Sequence, residues 1–168
     1  MKSAIILAAI GAGVLACSAT APVKGPGEPA GSVSSGRGPA WTASIRGVTQ
    51  SRFNVPDSSR EKSYGSLRWS PGNPPTLSTV NLVFSYGGSE RELSWAILFE
   101  GCGSASLPLN PISTFPELEV GNSGHVELNA TLSLQVPPSG AYHIEIYRDR
   151  RGGAESVVAC GNLRYASG

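Results

Sequence analysis

The sequence predicts an all-β fold, a Greek-key β-sandwich or flattened barrel of about eight strands. Two observations carry this expectation. Gly and Pro are abundant, 21 and 13 of the 168 residues, and they gather in clusters between short segments. Within those segments apolar and polar residues alternate with the period of two that half-buries a strand, and no segment carries convincing helical spacing. Once the non-globular ends are set aside, the length suits one domain.

The elements follow in order. Trp41, Ala43 and Ile45 alternate with Thr42, Ser44 and Arg46, a first strand that ends at Gly47. Residues 50–62 are polar, with a turn at Asn54-Val55-Pro56-Asp57, and read as a loop. Residues 64–69 give a second strand, stopped by the Pro71–Pro75 cluster. Residues 76–86 form a third, with Val80, Val83, Phe84 and Tyr86, and end at Gly87-Gly88. That pair is a hairpin signal, so the third strand is expected to pair antiparallel with the apolar fourth, residues 93–99. The fourth runs into the turn Gly101-Cys102-Gly103.

Residues 104–114 read as a long loop, because Pro108 and Pro111 forbid a central strand there. A short extended piece spans 115–120, and Gly121-Asn122-Ser123-Gly124 turns it into residues 125–134, the cleanest amphipathic strand. After Pro137-Pro138-Ser139-Gly140, the residues Tyr142, Ile144 and Ile146 alternate with His143, Glu145 and Tyr147. A charged turn, residues 148–153, leads to the closing strand over 156–164.

The N-terminus carries an address. Met1-Lys2-Ser3 is a short basic region and Ala4 to Leu15 a continuous apolar one, too short to cross a bilayer core of roughly 30 Å as a helix. It ends in Val14-Leu15-Ala16-Cys17, which resembles the lipobox of bacterial lipoproteins. The resemblance implies a signal peptide over 1–16, acyl chains (palmitate or similar) on Cys17, and a lipid anchor in the cell envelope. Because Ser18 follows the cysteine, it implies the outer membrane, facing the periplasm or the cell surface. Acyl chains contribute about 0.8 kcal/mol per buried CH₂. Residues 17–39 are Pro, Gly, Ser and Ala with scattered charge, too polar to offset their conformational entropy, and read as a tether reaching on the order of 25 Å. Residues 40–168 form the folded domain. With 13 basic against 12 acidic side chains the net charge is +1, which argues against nucleic acid as a partner.

Three cysteines are odd for an exported chain, but lipidation of Cys17 leaves Cys102 and Cys160 as an even pair in an oxidising compartment. A disulfide between them is the economical reading, and two buried free thiols are the alternative.

The segments Trp95-Ala96-Ile97-Leu98-Phe99-Glu100-Gly101-Cys102-Gly103, Asn110-Pro111-Ile112-Ser113, Tyr142-His143-Ile144-Glu145-Ile146-Tyr147 and Val157-Val158-Ala159-Cys160-Gly161-Asn162-Leu163 resemble copper/zinc superoxide dismutases and the related CHRD-type bacterial proteins. The resemblance covers residues 76–166 and implies a dismutase-like sandwich with Cys102 bonded to Cys160. Where that family places copper-binding histidines, this chain has Ala96, Leu98 and Tyr147. Copper needs several converging imidazoles, and the chain has two histidines, His125 and His143. The resemblance therefore implies a fold kept and a metal site lost, with no catalytic residue and no cofactor.

Other motifs carry less. His125 and His143 lie on polar strand faces and read as solvated side chains, a shared metal being the alternative. Glu90, Glu92 and Glu100 read as strand-end charge. The Gly103-Ser104-Ala105-Ser106 stretch lacks the strand–Ser–helix setting of a nucleophile. Gly87-Gly88-Ser89 precedes no helix to bind phosphate. Arg148-Asp149-Arg150-Arg151 reads as a solvated hairpin tip. The expectation is a non-catalytic, metal-free binding or scaffold module of the envelope, its binding face formed by Ala96, Leu98, Tyr147, His143 and Glu145, its partners the membrane and an envelope protein. Two alternatives stand beside it: a divergent metal-binding or redox enzyme using His125, His143 and glutamates, and a carrier of small apolar ligands.

Overall fold

The computed structural model describes residues 38–48 and 62–167; the leader, Cys17, the tether as far as residue 37 and the polar segment 49–61 lie outside them. Eight antiparallel strands form one sheet: β1 (Ala40–Gly47), β2 (Tyr64–Pro71), β3 (Ser78–Ser85), β4 (Glu92–Phe99), β5 (Leu118–Glu119), β6 (His125–Leu132), β7 (Tyr142–Tyr147) and β8 (Val157–Ala166). A single 3-10 turn, Ile112–Thr114, interrupts the long loop between β4 and β5.

The order across the sheet is β5-β4-β7-β8-β1-β2-β3-β6. Its two edge strands, β5 and β6, are consecutive in the chain, so the short turn between them draws the edges together and the sheet is a nearly closed, flattened barrel. Within that turn Gly121 N–H donates to His125 O at 3.0 Å, and Tyr86 N–H donates to Gly124 O at 2.7 Å, extending the β3–β6 ladder past Ser85↔His125. Bringing the two edges together leaves less open edge through which sheets aggregate. The first and last strands, β1 and β8, pair in the middle of the sheet.

Alternation sets the interior. Across the sheet the rows Leu163–Ala43–Leu67–Leu82–Leu128 and Trp41–Trp69–Val80–Ala130 point inward, with Trp95, Ile97, Ile144 and Ile146 facing them from β4 and β7. Trp41 and Trp69 both meet the Tyr142 ring edge-on, at 5.2 and 6.3 Å. The Trp41 Nε1–H donates to Pro137 O at 2.8 Å and the Trp95 Nε1–H to Pro116 O at 2.7 Å, so both indoles keep a polar partner while their rings are buried.

The fold departs from the sequence reading in its pairing of β3. Gly87-Gly88 does not close a β3–β4 hairpin; β3 pairs with β6 along its whole length, from Ser78↔Leu132 to Ser85↔His125, and β4 pairs with β7 and β5. The reason is the second face of β4. Its residues Leu93 to Leu98 are all buried, whereas the outer residues of β3 are half-buried or exposed. A strand apolar on both faces needs a cover on its outer side, and only the position beside β7, under the loop 104–117, provides one. Residues 86–91 therefore cross the barrel instead of turning back.

Candidate functional site

The outer face of β4, β7 and β8 holds the side chains of interest. In antiparallel pairs, residues directly opposite project to the same side. The register puts Ala96 opposite Glu145 and Glu145 opposite Cys160; Leu98 opposite His143 and His143 opposite Asn162; and Ser94 opposite Tyr147. Thus Ala96, Leu98, His143, Glu145 and Tyr147, dispersed over fifty residues of chain, share one surface of the barrel.

This face is roofed. Leu98 bridges to Pro108, Phe99 N–H donates to Leu107 O at 3.2 Å and Leu109 N–H to Ile97 O at 2.8 Å, so the loop runs along the free edge of β4 where β5 stops. Cys102 and Cys160 are joined by a disulfide that ties the start of the loop to β8, and Asn162 Oδ1 accepts the Cys102 N–H at 2.7 Å. Below the roof, Ala96 is fully buried and Leu98 is 4% exposed. Between the loop and the turn after β7 lies a recess of about 410 Å³, with Leu98, Pro108, Ile112 and Val157 as apolar walls and the Glu145 carboxylate at its polar end.

His143 differs most from its sequence reading. It is not solvated but completely buried, because β7 lies inside the sheet and its outer face is under the roof. Its Nδ1 stands 3.2 Å from the carbonyl of Glu100, an acceptor only, so Nδ1 carries the proton and donates. Glu100 itself has φ of +64°, the left-handed turn that ends β4 and aims this carbonyl at the imidazole. The Nε2 of His143 faces Glu145 Oε1 at 3.4 Å, and among the described residues it has no hydrogen-bond partner. The other carboxylate oxygen, Oε2, accepts the Tyr147 hydroxyl at 2.9 Å. Burial, followed by the neighbouring Glu145 charge and that hydrogen bond, holds the Tyr147 phenol well above the usual range.

Searches against protein-family models and against curated proteins find no match for this chain. The face must be read from its own atoms. His143, Glu145 and Cys160 offer one imidazole nitrogen, one carboxylate oxygen and one sulfur, all within 4.8 Å of one another, the only such group of potential metal ligands among the described residues. With the disulfide formed, the sulfur has no thiolate to offer.

The remaining candidates fall elsewhere. His125 is exposed at the start of β6, opposite Ser85, and joins no such group, so the two histidines are not brought together in one ligand set. Glu90 accepts the Tyr86 hydroxyl at 2.5 Å and pairs with Arg148 at 3.3 Å. Glu92 lies opposite Glu119, at the edge. In the turn after β7, Arg150 is paired with Glu117, and Asp149 accepts the Arg151 N–H at 2.9 Å. Sequence reasoning missed the convergence of Cys160 with His143 and Glu145. The signal available was the register of β7 against β8, which periodicity within single strands does not supply.

Proposed function

We propose that the chain is a non-catalytic binding module of the bacterial cell envelope, held by lipid on Cys17, with a dismutase-like barrel whose metal-binding role is gone and whose recess takes a partner. The observation that carries the reading is the composition of the outer face. Ala96 and Leu98 have no ligand atom, and the Tyr147 hydroxyl is already bonded to Glu145. One imidazole, His143, stands where redox chemistry at copper would need several. The all-β barrel is compatible with the dismutase resemblance, an architecture that copper/zinc dismutases share with many unrelated domains.

The chemistry of the recess describes its partner. Apolar walls of Leu98, Pro108, Ile112 and Val157 suit an aliphatic or aromatic group, and Glu145 suits a hydrogen-bond donor on it. A small-ligand carrier is the second reading, favoured by the volume of about 410 Å³, inside the roughly 300–1,000 Å³ of ordinary ligand pockets.

The test uses the oxidised protein. After exposure to copper and zinc and desalting, it is expected to retain no stoichiometric metal and to dismutate superoxide no faster than buffer. A partner captured from envelope extracts is expected to be lost by an Ala105→Trp/Ala154→Trp variant, in which two exposed residues lining the recess are enlarged to fill it. Stoichiometric copper with dismutase activity that disappears in His143→Ala would overturn the reading.

A further inference from the structure

We propose that reduction of the Cys102–Cys160 disulfide opens a zinc site made by His143, Glu145 and Cys160. This goes beyond the binding-module reading, which concerns the oxidised chain, and stands independently of it.

The geometry already approaches a metal centre. Zinc takes imidazole nitrogen and carboxylate oxygen at about 2.0–2.2 Å and thiolate at about 2.3 Å. Two atoms each about 2.1 Å from one tetrahedral centre stand about 3.4 Å apart, and His143 Nε2 and Glu145 Oε1 are 3.4 Å apart. One His143 nitrogen, one Glu145 oxygen and the Cys160 sulfur all lie within 4.8 Å of one another, so an adjustment of about an ångström brings three donors to the spacing of one tetrahedral ion.

The second observation is the state of His143. Its side chain is fully buried, with Nδ1–H committed to Glu100 O and Nε2 partnerless among the described residues. Nε2 and the carboxylate oxygen of Glu145 face each other at 3.4 Å without a hydrogen bond, a gap that a proton or a metal cation would bridge. A buried polar atom without a partner costs about 1–3 kcal/mol, and a cation between the two would satisfy both. The outer partners of a ligand set are also present. Glu100 O orients the imidazole and the Tyr147 hydroxyl holds Glu145, the arrangement that fixes ligands around protein-bound zinc. The recess reaches Glu145, one of the three donors, from the solvent side.

What withholds the site is the sulfur. In the disulfide, Cys160 is neutral and a poor ligand. Cys102 sits exposed in its turn, open to attack by a dithiol reductant. Exchange transfers two electrons and two protons from the dithiol, which closes to a cyclic disulfide, and leaves Cys102 and Cys160 as thiols. Zinc then displaces the Cys160 proton and binds thiolate, carboxylate and neutral imidazole, whose summed charge cancels its own. Water fills the fourth position, and Cys102 contributes none of the three protein ligands.

The test separates the redox step from the site. Cys102→Ala frees Cys160 without reductant, so this variant, exposed to zinc and desalted, is expected to hold about one ion per chain, and the oxidised parent none. Cobalt in the same variant is expected to show sulfur-to-metal charge-transfer absorption, lost on adding His143→Gln and weakened at least tenfold in affinity by Glu145→Gln. Because the variant lacks the bond, its fold is checked by circular dichroism. If it is unfolded, the parent reduced by a trialkylphosphine, which offers zinc no thiolate, gives the deciding measurement: zinc should raise its Tm but not that of the reduced His143→Gln chain. A folded Cys102→Ala chain without zinc, equal zinc in the oxidised parent, or zinc unaffected by His143→Gln would each overturn the proposal.

Discussion

At the scale of single residues, two buried phenols and one carboxylate are held away from their ordinary titration range in the folded chain. Burial alone would raise the Glu90 carboxyl. The hydrogen bond from Tyr86, backbone N–H donors and the Arg148 charge outweigh it and hold Glu90 below its ordinary value of 4.5. A carboxyl lowered in the folded state stabilises above the unfolded value, and that contribution is lost as pH falls through the folded one. Denaturant titrations between pH 6 and about 3 should therefore show a steeper acid decline in the parent than in Glu90→Gln, with a difference of at most about 1 kcal/mol, as suits a partly exposed pair. Tyr86 and Tyr147 work in the opposite direction. Burial first, then their hydrogen bonds to Glu90 and Glu145 and those charges, raise both phenols above 10.0, so their contribution is complete below that pH and is lost as pH rises beyond it. Tyr147→Phe is expected to flatten the alkaline limb and, at neutral pH, to lower stability by about 1 kcal/mol for the lost hydrogen bond.

Among the elements, β2 lies between β1 and β3, with Gly65 opposite Ile45 on one side and Phe84 on the other. A Cβ on Gly65 would lie 2.2 Å from the Val83 carbonyl oxygen and 2.9 Å from the Phe84 Cα, both backbone atoms that only a shift of β3 could move. Gly65→Ala should thus cost about 1–3 kcal/mol, read by tryptophan emission during urea unfolding, while Ser66→Ala on the exposed side changes little. The seam between β5 and β6 has its own glycine. Gly124 has φ of +76°, and a Cβ there would stand 2.4 Å from the Tyr86 carbonyl oxygen. Gly124 was legible in the sequence as part of a turn and Gly65 only as a residue of a strand, but the close neighbours of both were not, since each lies in a segment distant along the chain.

For the whole molecule, the disulfide closes a loop of 58 residues that holds β5, β6, β7 and most of the roof. In the chain-entropy account, a loop of that length restricts the unfolded state by about 4 kcal/mol. Reduction without metal should lower the urea midpoint accordingly, and added zinc should restore part of the loss only if the His143 site forms.

The sequence by itself determined the all-β class, the eight strands with their approximate bounds, the inward residues, and the cysteine pair. Each of these depends on local periodicity, turn chemistry or counting, and local signals survive without knowledge of the neighbours. It also placed Ala96, Leu98, His143, Glu145 and Tyr147 on one face, by resemblance. Only the tertiary structure decided that β3 pairs with β6, that the edges β5 and β6 are drawn together into a nearly closed barrel, and that His143 is buried with its Nε2 beside Glu145 and Cys160. The physical reason is shared: pairing partners and burial are set by which strands need cover on their second face, and that competition is settled among residues far apart in the chain.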